Sequence, residues 1–147
     1  MKQEIRINVW EKFGCRCAYC GNGLEYEDMQ VDHYRPQCSL PKDKRDDIDN
    51  LMPSCRRCNH YKRAWMPEQF RGLMKTLSDK IEKTYLAKVA VDYNILQFKP
   101  FDGIFWFEKY TKFMNGEEME CPYDHQHYKD MGMTYCPHCL DKFGRLT

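Results

Sequence analysis

An α+β fold is predicted by three features of this sequence. Two Cys-x-x-Cys pairs, Cys17/Cys20 and Cys55/Cys58, bracket a segment rich in aromatic and β-branched residues that ends in Val31-Asp32-His33-Tyr34-Arg35-Pro36. A second short apolar run, Leu51-Met52-Pro53, leads into the second pair. Outside the bracket, apolar residues recur at helical spacing on both sides. Thiolates at i and i+3 can both face one ion, and two such pairs complete a tetrahedral zinc site with no open position. The gap between the pairs is longer than in a compact zinc ribbon, so the inserted segment must be a folded unit.

Composition bounds the rest. The 147 residues suit one domain, or one small domain with a satellite. Hydrophobic residues make up 42% and aromatics 14%, enough for a packed core. No apolar run approaches the roughly 18 residues that a spanning helix needs. Met1–Ile7 lacks the long apolar stretch of a secretory leader, so a cytoplasmic location without a membrane partner is expected. Nine cysteines, an odd number, read in a reducing compartment as metal ligands rather than a closed disulfide set. With 23 basic and 22 acidic residues the net charge is +1, so any nucleic-acid surface must be local.

In chain order, Ile5, Val9, Trp10 and Phe13 mark a helix over residues 4–13, with Gly14 placed to end it. Cys17 and Cys20 form the first knuckle, with Gly21 and Gly23 permitting a tight turn, and Cys15 is spare. Residues 24–34 read as a strand or hairpin that ends at His33, because Pro36 stops the ladder. Residues 35–49 form a polar loop whose run Lys42-Asp43-Lys44-Arg45-Asp46-Asp47 is expected to be solvated, with contact to a phosphate backbone as the alternative. Leu51-Met52-Pro53 is the second strand. Ser54 is placed to cap a helix starting near Cys55. Further helices are expected over 67–77, opened by Pro67, and over 79–93, capped by Ser78 and ended by Asn94. Their apolar stripes, including Ile81, Tyr85, Leu86, Val89 and Tyr93, are expected to pack. Ile104-Phe105-Trp106-Phe107 reads as a buried or edge strand. The tail repeats the cysteine theme: Cys121, Cys136 and Cys139 with one histidine would make a second zinc site. His125 and His127 are both available and His125 is preferred. Three units follow: 1–66, 67–115 and 116–147.

The bracketed unit carries the chemistry of phosphodiester hydrolysis. That reaction needs an activated water, a cation on the phosphate and help for the leaving oxygen. Mg²⁺ prefers oxygen ligands, which Asp32 and Asn59 supply. Imidazole titrates near neutrality, which suits His33 as general base. Its other ring nitrogen must be held, and a backbone carbonyl positioned by Asn50 is the expected partner. Arg35, Arg57, Lys62 and Arg63 are the cations expected at nucleic-acid phosphates.

The pattern Cys17-x-x-Cys20, Val31-Asp32-His33-Tyr34-Arg35-Pro36, Asp49-Asn50-Leu51, Cys55-x-x-Cys58-Asn59-x-x-Lys62 resembles the HNH endonuclease family, in particular the zinc-bound members of bacteria and their phages. The match covers residues 5–66. The resemblance implies a ββα-metal fold with a four-cysteine structural zinc, flanking helices and a Cys/His tail. It implies His33 as general base, Asp32 and Asn59 as ligands of Mg²⁺ or Mn²⁺, and Asn50 as the residue that orients the His33 loop. The family's last motif residue is often His, and here that position is Asn59. His60 beside it is the alternative ligand, although successive helical residues lie about 100° apart and do not share one role. DNA is the implied substrate, cut to 5′-phosphate and 3′-hydroxyl ends, with nicking unless two copies pair. Monomer and homodimer both stay open. The competing expectation is a catalytically silent zinc-held module that binds DNA or protein, such as a phage factor acting on a host system.

Overall fold

Short helices packed around one strand pair make up the chain in a computed structural model that describes residues 2–117, 121–123 and 136. Helix α1 spans Gln3–Glu11, and its Val9 is fully buried. Gly14 then takes φ +67, where an added Cβ would run into the Tyr123 hydroxyl, so glycine ends this helix for two reasons. Strand β1 is Gln30–His33 and β2 is Leu51–Ser54. They pair antiparallel, with Asp32 opposite Met52 and His33 opposite Leu51. Strand β1 begins later than the expected segment because residues 25–29 close a turn, Met29 N–H donating to the Glu25 carbonyl. All four residues of β2 are buried.

Helix α2, Arg56–Lys62, follows directly and packs on β1. Cys55 rather than Ser54 caps it, its sulfur accepting from Cys58 N–H. Helix α3 is Pro67–Lys75, with Pro67 at the first turn and the Gln69 side chain accepting Met66 N–H. The expected helix over 79–93 is two helices, α4 (Leu77–Glu82) and α5 (Tyr85–Asp92). Thr84 breaks it: its backbone is extended and its hydroxyl accepts Ala87 N–H, which starts a new helix. Ser78 lies inside α4, while Asn94, at φ 57, stands beyond the end of α5 as expected. The stripe on these helices does not pack as a whole: Tyr85, Leu86 and Tyr93 are each at least 75% exposed.

The aromatic run near Phe105 forms a helix, not a strand. Helix α6 is Trp106–Asn115. Its first free N–H groups find partners in the first knuckle, Trp106 N–H on the Tyr19 carbonyl and Phe107 N–H on the Ala18 carbonyl. Glu108 accepts Phe105 N–H and also pairs with Arg71 of α3. The aromatics are core as expected: Phe105, Trp106 and Phe113 are all buried, and Tyr19 meets Phe70, Phe105 and Phe107 edge-on. Among the described residues the result is a mixed fold of helices and one small sheet. Among the described residues, no helix is long and apolar enough to cross a membrane.

Candidate active site and zinc centre

The first knuckle is built by backbone turns. Cys17 N–H donates to the Asn22 carbonyl and Gly21 N–H returns to the Cys17 carbonyl, both at 2.9 Å. Gly21 sits at φ +75, and a Cβ there would fall 2.8 Å from the Trp106 ring. The second pair lies on the opening turn of α2. The sulfurs of Cys17, Cys20, Cys55 and Cys58 all lie within 4.8 Å of one another. Tetrahedral zinc with bonds of about 2.3 Å places its thiolates about 3.8 Å apart, so the donor set fits zinc. The sulfurs shift one another's titration. Hydrogen bonds from Cys20 and Cys58 pull Cys17 down to about 2. The same bond to Cys17 pushes Cys20 up to about 12, and Cys58 is raised for the same reason. A divalent cation is what lets all four ionise together.

Strand β1 alternates between two surroundings. Gln30 and Asp32, two apart, present their side chains to α2. Asp32 is buried, and its Oδ2 accepts from the Tyr19 hydroxyl and pairs with Lys62 Nζ at 2.9 Å. Burial and the Asp32 charge raise the Tyr19 phenol, which keeps it a donor. Lys62 is 0% exposed and also donates to the His33 carbonyl at 2.8 Å. This corrects the expectation for Lys62: it is an internal cation that clamps the Asp32-His33 backbone, not a surface contact for phosphate. Asn59, one turn earlier on α2, donates to Gln30 Oε1 at 2.7 Å.

His33 turns to the other side and meets the loop. Its Nε2 lies 2.9 Å from Asp46 Oδ1 and 3.1 Å from Gln37 Nε2. An ionised carboxylate only accepts, so Nε2–H donates to Asp46 and the lone pair resides on Nδ1. A half-turn of the Gln37 amide puts its oxygen toward the same N–H. The ring is thus held by a carboxylate, where a backbone carbonyl was expected. Asn50 acts on the backbone instead. Its Oδ1 accepts Arg35 N–H at 2.8 Å, and its Nδ2 donates to the Arg35 and Arg45 carbonyls at 3.2 and 2.8 Å. Lys12, which caps the end of α1, gathers the Ile48 and Leu51 carbonyls on either side of Asn50.

Asp32, His33, Gln37, Arg45, Arg63 and Ala64 line one groove. Arg63 ends α2 at φ 52, ψ −137, a conformation that costs a side-chain-bearing residue on the order of 1–3 kcal/mol. Such strain, at the rim of the groove, turns the chain there. The structure therefore gathers Asp32, His33, Asn50 and Arg63 in one region. Asn59 sits beside Gln30 and does not line the groove. Arg35 and Arg57 are exposed, Arg57 beside His60 and Tyr61 on a different face. Cys121 and Cys136 stand 3.8 Å apart, while His125 and Cys139 lie outside the described residues. Sequence reasoning missed Tyr19, Lys12, Gln37 and Asp46. Only Tyr19 carried a signal, as an aromatic enclosed between the two cysteines of the first pair.

Removing the internal cation has a predictable cost. Lys62→Met leaves Asp32 buried with only the Tyr19 hydroxyl, and the zinc-loaded chain is expected to lose about 3–5 kcal/mol. Urea unfolding measures it. Lys62→Met with Asp32→Asn should lose clearly less than the sum of the two single changes. Strict additivity would refute the pairing.

Residues 17–64 match the family model described as HNH endonuclease. The chain is 38% identical over 58 residues to a CRISPR-associated endonuclease Cas9 of Actinomyces naeslundii, covering 40% of this chain and 5% of the relative. It is 29% identical over 62 residues to a CRISPR-associated endonuclease Cas9 of Corynebacterium diphtheriae, covering 39% of this chain and 6% of that relative. The chain thus spans only about a twentieth of the length of these curated relatives. No solved structure matches. The matched segment is the one that holds both cysteine pairs, the strand pair and α2, and residues 17–64 belong to the HNH endonuclease family.

Proposed function

We propose that this chain is a metal-dependent HNH endonuclease that hydrolyses DNA phosphodiester bonds, with the nuclease unit in residues 1–66, an extension over 67–115 and a tail over 116–147. The observation that carries this reading is the hydrogen bond from His33 Nε2 to Asp46, made at the mouth of a groove that also holds Arg45 and Arg63. An imidazole oriented this way has a basic Nδ1, and that nitrogen takes the proton from the attacking water. Asn50 fixes the turn after His33, so the ring keeps its place. Arg63 and Arg45 bind the phosphate oxygens in the groove, with Arg35 and Arg57 on the flanking backbone.

In this reading Asp32, in the groove, and Asn59, beside Gln30, would hold the second cation. The donor chemistry fits a hard ion: both contacts of Asp32 fall on Oδ2 and Asn59 uses its Nδ2, leaving Asp32 Oδ1 and Asn59 Oδ1 as oxygen donors. Mg²⁺ or Mn²⁺ held there would supply charge stabilisation on the phosphate and leaving oxygen. One such site per chain cuts one strand per event unless two copies pair. Thiols held as zinc ligands suit a reducing cytoplasm.

One observation favours the second reading, a silent zinc-held module that binds DNA or protein. Lys62 already neutralises Asp32, so binding alone needs no further ion there. Supercoiled plasmid separates the two. The nuclease reading expects relaxed circles with zinc-loaded protein plus Mg²⁺ or Mn²⁺, and none without added cation at unchanged zinc content. Retarded plasmid with no relaxation under any cation establishes the binding module instead.

A further inference from the structure

Tyr19 lies inside the first knuckle, between Cys17 and Cys20, and is 4% exposed. Its hydroxyl reaches out of the core to Asp32 Oδ2, the same oxygen that Lys62 Nζ takes at 2.9 Å. Two donors on one oxygen hold the orientation of the carboxylate and leave Oδ1 for a cation. The phenol has little freedom of its own. Its ring meets Phe70, Phe105 and Phe107 edge-on, with centroids 5.5, 5.5 and 6.4 Å away. The backbone is pinned on both sides. Ala18 N–H donates to the Pro53 carbonyl of β2 at 2.8 Å, and the Tyr19 carbonyl accepts from Trp106 N–H. Pro53 adjoins Met52, the register partner of Asp32. Zinc ligation by Cys17 and Cys20 would fix the short turn that carries the ring.

On the reading that Asp32 holds the hard cation, we propose that Tyr19 is a positioning residue for it, a side chain of the zinc knuckle that sets the carboxylate of the second metal site. Its neutrality is what suits it to the task. A neutral donor orients Asp32 without repelling a divalent ion, which the Lys62 ammonium on the same oxygen cannot do. Hydrogen-bond partners of a ligating carboxylate matter to metal affinity by about 10–100-fold, and losing the hydroxyl leaves the orientation of Asp32 to the opposing cation alone.

Mn²⁺ binding to the zinc-loaded full chain, followed by loss of the free-ion electron paramagnetic resonance signal, tests it. Tyr19→Phe keeps the ring and is expected to weaken Mn²⁺ binding about 10–100-fold at unchanged zinc content. A merely structural Tyr19 would lower the melting temperature and leave the Mn²⁺ affinity alone. In the plasmid assay the variant should need correspondingly more Mn²⁺ for half its rate, while its rate at saturating Mn²⁺ falls far less than in His33→Ala. The untouched chain gives a second measurement that needs no variant: with ring-labelled tyrosine, Mg²⁺ should move one tyrosine Cζ resonance with the midpoint of its own binding. Mn²⁺ binding abolished by Asp32→Asn but unchanged in Tyr19→Phe, or Mg²⁺ binding that moves no tyrosine resonance, overturns the proposal and leaves the cation reading standing. Mn²⁺ binding that survives Asp32→Asn, or none in the unaltered chain, removes that reading and the proposal with it.

Discussion

His33→Ala is expected to lower Mg²⁺-dependent relaxation of supercoiled plasmid by about 10²–10⁴-fold, the usual worth of a positioned general base. The fold should not change, because the His33 side chain is half-buried at the end of β1 and its hydrogen bonds go to two exposed loop residues, Asp46 and Gln37. Zinc content and near-ultraviolet dichroism provide the control. Asp46→Ala should lower the rate less, since the ring stays and only its tautomer is released. The order of these two effects separates a base from a structural histidine. A purely structural His33 would lose stability and keep its rate. Unchanged nicking by His33→Ala would remove His33 from the mechanism.

The second large effect concerns the thiolate cluster. Cys17→Ser is expected to unfold the region around both knuckles. Structural zinc contributes on the order of 10 kcal/mol or more to small domains, comparable to a whole domain's margin of about 5–15 kcal/mol. Cys17 is the ligand to choose because it is 0% exposed and joins the main core beside Val9, Tyr19 and Leu51. Losing the ion also frees the Tyr19 and Ala18 carbonyls that receive the N-terminus of α6, so the damage should travel to that helix. Trp106 fluorescence, next to Gly21, should shift to the red as it becomes wet. Far-ultraviolet dichroism should fall in parallel. A zinc-free chain that still melts cooperatively at the same temperature would show the cluster to be dispensable.

The parts legible in the sequence were those dictated by local chemistry. The spacing of Cys17, Cys20, Cys55 and Cys58 is a ligand pattern, and ligand patterns survive any detail of packing. Pro36 and the Asp-His pair marked the end of β1, and the end at His33 is where the strand stops. The aromatic run at 104–107 misled because strand propensity of aromatic residues mostly reflects the surface they pack on. Here that surface is the knuckle, whose Tyr19 and Ala18 carbonyls accept from the first N–H groups of a helix. The break at Thr84 was missed because a hydroxyl cap competes with an apolar stripe that runs straight through it.

Sequence by itself determined the four-cysteine set, the order of strand, strand and then the helix that carries the second pair, and the residue types available for phosphate chemistry. Each follows from covalent spacing and side-chain chemistry alone. Only the tertiary structure decided what faces what. It turned Lys62 inward onto Asp32, because a buried carboxylate needs a cation and α2 offers one at that turn. It gave His33 a carboxylate partner from a loop read as solvated, because Asn50 pins both the His33 turn and the Arg45 backbone next to Asp46. Contacts between residues far apart in the chain depend on how the backbone closes, and no local pattern encodes that.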